Sequence, residues 1–275
     1  MESELWLKMR ILLVPILSIL SVSCSTSQDP VNFSELVTRG GVTFEKFSDV
    51  PFTGTTTGAA EGEMKNGLWE GNVFFYGPDR WLHREVTYRE GIKDGQLVVW
   101  CRNGNKRVEV EFKNNKKTGF YEENYCGGAP RIRTNFRENI IIEDSVEIYF
   151  INGKSERYFP LLNGQTNGVA FWYRKDGSIR NQVAVEQGKL VGDCIEYDKD
   201  GILIEKLTFE EDVLIEWKRG SEDNPNPFSK LAVPLNNSPE QKTLETRCLA
   251  YKTPNIGQDI ETKDPFAGHE INIVE

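Results

Sequence analysis

The chain has 275 residues, 38% of them hydrophobic and 27% charged, with a formal net charge of −9. That balance argues against nucleic acid as a partner, because duplex binding needs Lys and Arg clustered to neutralise phosphates, and the run from Lys113 to Lys117 is too short to reverse it. A mean hydropathy of −0.49 beside 11% aromatic residues suits one repetitive domain with two tails better than two compact globules.

From the amino terminus, residues 1–23 read as an export signal. Lys8 and Arg10 precede an apolar stretch from Ile11 to Leu20, which is too short to span a bilayer, since a spanning helix takes about 20 residues. The stretch ends at Leu20-Ser21-Val22-Ser23-Cys24, which resembles a bacterial lipobox. The resemblance implies lipidation of Cys24, and Ser25 after it resembles the sorting pattern of outer-membrane lipoproteins. The implied address is the cell envelope, facing the periplasm or the exterior, with the acyl chains as the membrane contact. Residues 24–35, small and polar around Pro30, are expected to form a flexible tether, and the folded part is expected to begin at Leu36.

Residues 36–217 carry a repeat of about 24 residues. Aligned openers stand at Gly67, Gly91, Asn115, Ile140, Gly164, Gly188 and Asp212, with one inserted residue between the third and fourth. Turn dipeptides recur twice in each period, as at Asn66-Gly67 and Asn163-Gly164, then at Asn103-Gly104, Asn152-Gly153 and Asp200-Gly201. Asn-Gly and Asp-Gly signal two-residue type I′ hairpins, which need positive φ at both central residues. The 11–13 residues between turns leave room for strands and none for a helix, and Val169-Ala170-Phe171-Trp172-Tyr173 has the β-branched and aromatic content of one. The predicted fold is all-β: an elongated, single-layer antiparallel meander of six to eight stacked hairpins, almost without helix outside the signal. Tyr76, Trp100, Tyr149, Tyr173 and Tyr197 fall at one phase of the repeat and are expected in a row along one face. With Trp172 they make the candidate binding face. The unit from Ile140 to Leu161 matches the pattern least well, so a kink or bulge is expected there.

Units reading G-x-x-x-G-x-x-x-x-aromatic, then Asn/Asp-Gly, then a closing aromatic resemble the bacterial variant of the MORN repeat. Pro51-Phe52-Thr53-Gly54 is similar to the signature that opens such arrays. Proteins of this kind are often labelled antitoxin components, so the resemblance implies a toxin-neutralising partner as one alternative. It implies no catalytic residues.

Cys101 and Cys126 sit at nearly equivalent points of adjacent repeats, two strands apart. That is roughly 10 Å at about 4.8 Å per strand, against the ~7 Å limit of a disulfide, so no regular disulfide framework is expected. His83 and His269 have no partner pattern, no spacing resembles a zinc site, and Asp198-Lys199-Asp200-Gly201 fails as a calcium loop because Leu207 stands where a bidentate Glu belongs. No catalytic residue, metal or cofactor is therefore assigned. Residues 218–275, rich in Pro and Asn, are expected to be largely extended or disordered, with Phe228–Val233 and Cys248–Tyr251 as short apolar patches able to cover the open sheet edge. An uncovered edge strand invites self-association. The functional expectation is a non-catalytic envelope scaffold that binds another protein or an envelope polymer. A toxin-neutralising partner is second and a hydrolase a distant third.

Overall fold

The computed structural model describes residues 29–220, 238–254 and 256. The export segment, Cys24 and the Phe228–Val233 patch lie outside them. Strand β1 (Val31–Asn32) leads through a 3-10 turn (Phe33–Glu35) into a small hairpin of β2 (Leu36–Arg39) and β3 (Val42–Glu45). The segment expected as tether is therefore already structured from Val31. The meander follows: β4 (Gly54–Thr57), β5 (Ala60–Lys65), β6 (Leu68–Tyr76), β7 (Leu82–Arg89), β8 (Ile92–Trp100), β9 (Lys106–Lys113), β10 (Lys116–Asn124) and β11 (Pro130–Arg137). It continues with β12 (Ile140–Ile141), β13 (Ser145–Tyr149), β14 (Ser155–Leu162), β15 (Gln165–Thr166), β16 (Gly168–Tyr173), β17 (Ile179–Glu186), β18 (Lys189–Tyr197), β19 (Leu203–Glu210) and β20 (Val213–Arg219).

The meander strands pair antiparallel in sequence order, except that the short β12 and β15 pair only with β11 and β14, which go on to β13 and β16; this gives one long open sheet, and β1 adds the one parallel pair among the described residues, against β4. β2 and β3 form a separate two-stranded sheet. It is tied to the array by the Thr43 N–H on the Gly67 carbonyl and the Phe52 N–H on the Thr43 carbonyl, both at 2.9 Å.

The opening turns have positive φ at both central residues, as at Asn66 and Gly67, Asn114 and Asn115, and Glu211 and Asp212. In the fourth unit those residues are Glu138 and Asn139. The opener is thus Asn139 rather than Ile140, and the inserted residue lies inside that unit. Departures from glycine have a reason. Asn tolerates the left-handed region, as Asp does, and their side chains add a bond that glycine lacks. The Oδ1 atoms of Asn115, Asn139 and Asp212 accept from the backbone N–H of Lys93, Lys117 and Leu190 at 2.8, 2.7 and 2.8 Å. The backbone N–H of each of the three also donates to the carbonyl of that same residue, at 2.9 to 3.0 Å. Successive opening turns are therefore bonded turn to turn. The second row of turns is different: apart from the first, where Asp79 and Arg80 have positive φ, only the glycines, such as Gly104 and Gly153, do so, and Cys101 accepts from the Gly104 N–H while donating to the Asn105 carbonyl. That is the pattern of a type I turn closed by a left-handed glycine, not the expected type I′.

A single sheet with one deeply buried face needs a way to cover itself. Register shifts recur within the strands, between Thr118 and Tyr121 of β10 and between Val183 and Val185 of β17. Such bulges bend a strand and sharpen its twist, and the bent sheet covers its own inner face. The closing residues Tyr88, Phe112, Phe136, Leu161, Val185 and Phe209 lie buried there with Val73, Val110, Tyr121 and Phe159.

The eroded unit is broken, as expected. β12 and β15 are two-residue strands separated from their continuations. Across the first gap the Glu143 carboxylate accepts from the Asn135 N–H (2.6 Å), the Asn135 amide (2.7 Å) and the Thr134 hydroxyl (2.8 Å), taking the place of ladder bonds. Burial alone would raise its pKa, but these donors hold it below the ordinary glutamate value.

Two disulfides correct the expectation of none. Cys101 and Cys126 are bonded, their Cα atoms 5.6 Å apart. The strand-spacing estimate fails because both lie in turns, where neighbouring hairpins lean together: the Asn103 and Asn105 side-chain amides both reach the Cys126 carbonyl, at 2.7 and 2.9 Å. Cys194 of β18 bonds Cys248, which stands on a helix α1 (Pro239–Tyr251) in the part expected to be extended. Ser238 caps α1 by accepting from the Gln241 N–H, with Pro239 in its first turn. Leu244 and Cys248 pack on Val183, Leu207 and Trp217, so the helix covers the inner face and not the sheet edge.

Glu143→Ala is expected to cost about 1–3 kcal/mol in denaturant unfolding, the price of a buried donor left unmatched. Because the folded-state pKa of Glu143 is depressed, its contribution is present at neutral pH. It is lost as pH falls from the ordinary glutamate range through the folded value, so wild type and Glu143→Ala should converge in acid. Cys248→Ser should make α1 a site of rapid trypsin cleavage at Arg247, with the sheet resisting as before.

Candidate binding face

Alternation along a strand sends successive side chains to opposite faces, so residues facing away from the core build the outer face of the sheet. Paired residues continue this surface from strand to strand. Glu61 pairs Phe74, Phe74 pairs Glu85, Glu85 pairs Val98 and Val98 pairs Glu109 in the early hairpins, although the Val98 side chain is itself buried. Glu147 pairs Tyr158, Tyr158 pairs Phe171 and Phe171 pairs Gln182 in the later ones.

Tyr76, Trp100, Tyr149, Tyr173 and Tyr197 occupy equivalent places, each beside the register shift that precedes a second-row turn, and all are half-buried. The partners seen for these rings lie nearby. The Arg80 guanidinium lies over Tyr76 at 5.2 Å, and Lys106 over Trp100 at 5.9 Å. The Tyr149 hydroxyl donates to Glu147 at 2.8 Å, and Tyr173 stacks on Phe171 at 6.0 Å. Burial first, and then a nearby carboxylate, raises the phenol pKa of four of them: Glu61 for Tyr76, Glu147 for Tyr149 and Tyr173, and Asp193 for Tyr197. These phenols stay neutral donors beside anionic acceptors.

Trp172 does not belong to this face. Its ring meets Phe159 edge-on at 5.1 Å and Tyr251 of α1 at 4.6 Å, both on the core side. Its neighbour Phe171 is the exposed-face ring, 6.4 Å from Tyr158 and stacked on Tyr173. With Tyr149 and Glu147 these rings make the densest aromatic patch described on the outer face. Tyr158 and Phe171 stand off the repeat's aromatic phase, which singles out Tyr173, so the repeat alone does not point to them; strict alternation from buried Ala170 places Phe171 outward and Trp172 inward.

The chain matches no protein-family model and no curated protein. The character of the face therefore rests on its own geometry. Its charges are largely paired: Glu61 with Arg80 at 2.5 Å, Glu109 with Lys106 at 2.9 Å and Glu122 with Arg133 at 2.6 Å. The Lys113–Lys117 run is not an exposed edge, for it forms the turn between β9 and β10. Lys113 pairs with Asp94 and Lys116 with Glu138, while Lys117 is buried. The Asp198 carboxylate accepts from the Asp200 and Ile202 N–H groups at 2.9 and 2.8 Å and so holds its own hairpin turn. Among the described residues no cluster of three or more metal-ligating side chains occurs.

On the opposite side, a groove of about 730 Å³ runs along the opening turns of the eroded unit, with Phe136, Ile141 and Thr166 in its wall. Thr253, Pro254 and Ile256 also line it, and Ile256 is buried in the central core. The tail has thus taken up much of what the groove offers.

Trp172→Ala should destabilise the protein by roughly 3 kcal/mol in denaturant unfolding, because its partly buried ring packs against both core clusters. Phe171→Ala, one residue away, should cost no more than about 1 kcal/mol, near the surface norm.

Proposed function

We propose that the protein is a non-catalytic, lipid-anchored repeat scaffold of the bacterial cell envelope, binding another protein or an envelope polymer through its outer sheet face. The observation that carries this reading is the patch of Tyr149, Tyr158, Phe171 and Tyr173 around the Glu147 carboxylate, half-buried rings beside an acceptor and on rigid strands. Aromatic anchors of this kind dominate binding energy at protein surfaces, and rings flanked by carboxylates suit a partner whose apolar faces are edged with N–H or O–H donors. The repeat offers extended area with self-neutralised charge, a design for contact rather than for convergence of nucleophile, base and oxyanion donors.

The lipobox-like end at Cys24 motivates the anchor. Two disulfides support an exported address, since such bonds persist in oxidising compartments. They weigh against the toxin-neutralising alternative, which rests on the resemblance to bacterial MORN repeats and would place the protein in the cytoplasm.

Crosslinking in intact cells tests the face. Wild type should give a discrete adduct with an envelope protein or glycan that is lost in the Phe171→Ser, Tyr173→Ser double variant. An identical adduct pattern from both would reject the face, and recovery of a toxin would favour the alternative. For the anchor, Cys24→Ser should move the protein from the detergent phase to the aqueous phase.

A further inference from the structure

We infer that β20 is a self-complementary edge through which two copies of this chain pair antiparallel about Trp217. The two ends of the sheet are unlike. At the first end, β1 lies on β4 and the β2–β3 hairpin is bonded across the following turn. At the other, β20 pairs with β19, and among the described residues no further strand pairs with it. The Gly220 N–H donates to the Ile204 carbonyl at 2.7 Å. Because antiparallel backbone groups alternate in direction, Lys218 and Glu216 also address β19, whereas Trp217 and Arg219 direct their N–H and C=O away from it.

An outward-directed Trp217 sets the register. Two copies placed about a two-fold axis at Trp217 make it a hydrogen-bonded pair with itself. Each Glu216 then falls directly opposite the second copy's Lys218, in the non-hydrogen-bonded positions where side chains come closest. Glu216 and Lys218 lie on the face opposite the buried Trp217 ring and already pair within the strand at 2.8 Å, with side chains 39% and 31% exposed. The same pair of charges is thus ready to bond across the axis. A register centred on Glu216 would instead set like charges against each other.

The edge is also more apolar than an exposed strand should be: Val213 and Ile215 on β20 are 62% and 46% exposed, and Ile204 on β19 is 43% exposed. Edges of soluble proteins are usually blunted by charge or proline to prevent such pairing. Among the described residues β20 is the one long end strand without a second pairing strand, the other end closing on the two-residue β1, so the association closes at a dimer instead of growing into a fibre. The inference does not depend on the partner proposed for the aromatic patch, which lies several strands away.

The test is sedimentation equilibrium of the full chain in density-matched detergent, with three samples besides wild type. Wild type should be a dimer. Glu216→Lys alone and Lys218→Glu alone each set two like-charge pairs across the axis and should weaken the dimer by roughly tenfold or more. An equimolar mixture of the two single variants restores both opposite-charge pairs and should dimerise as well as wild type, which also shows that both variants are folded. A monomeric wild type at the highest attainable concentration overturns the proposal. So does a dimer that neither substitution weakens, or a mixture no tighter than its components.

Discussion

The rest of the molecule depends on the contact between one opening turn and the next. A meander held only by its ladder could twist at each hairpin independently. Here the N–H groups of Gly91, Asn115, Asn139, Gly188 and Asp212 reach the carbonyls of Trp69, Lys93, Lys117, Thr166 and Leu190 in the preceding turn at 2.9 to 3.0 Å. The period of the array is thus a bonding distance as well as a sequence regularity. Bulges that bend the strands then turn each closing aromatic inward, and a single layer gains a core.

Much of this was legible because turn chemistry is local. The openers with two positive-φ residues, the meander and the break in the fourth unit all follow from Gly, Asn and Asp at fixed spacing. The finer errors share a cause, which is that contacts between repeats are not written in any one repeat. Spacing points to Ile140 as the fourth opener, and the positive φ of Glu138 and Asn139, with the Lys117 N–H on the Asn139 side chain, moves the opener to Asn139. Trp172 stands beside the phase ring Tyr173, and only its seat between Phe159 and Tyr251 places it inside. The Cys101–Cys126 bond was rejected on strand spacing, which ceases to apply once the chain leaves the ladder. α1 did carry a local signal in Ser238-Pro239, but with Leu244 and Cys248 as its buried apolar residues the helical periodicity was too thin to read.

The two faces divide the chemistry. The inner face spends its aromatics on packing, and burial pushes the Tyr121 phenol up beside Glu123. The outer face keeps its rings half-buried among paired charges. Among the described residues neither face gathers three or more side chains able to hold a metal ion.

Ile256 gives the array an unusual dependence on order of synthesis. Stacked repeats can fold progressively as they emerge, each needing only its neighbour. Here the central core beside Ile141 and Phe136 includes a side chain made long after those hairpins, and Cys194 waits for Cys248 on the same returning segment. The middle of the protein stays unfinished until its tail has arrived, so a chain cut short after the last hairpin would be weakened in its middle repeats, far from the cut, as well as in the last repeats that α1 covers.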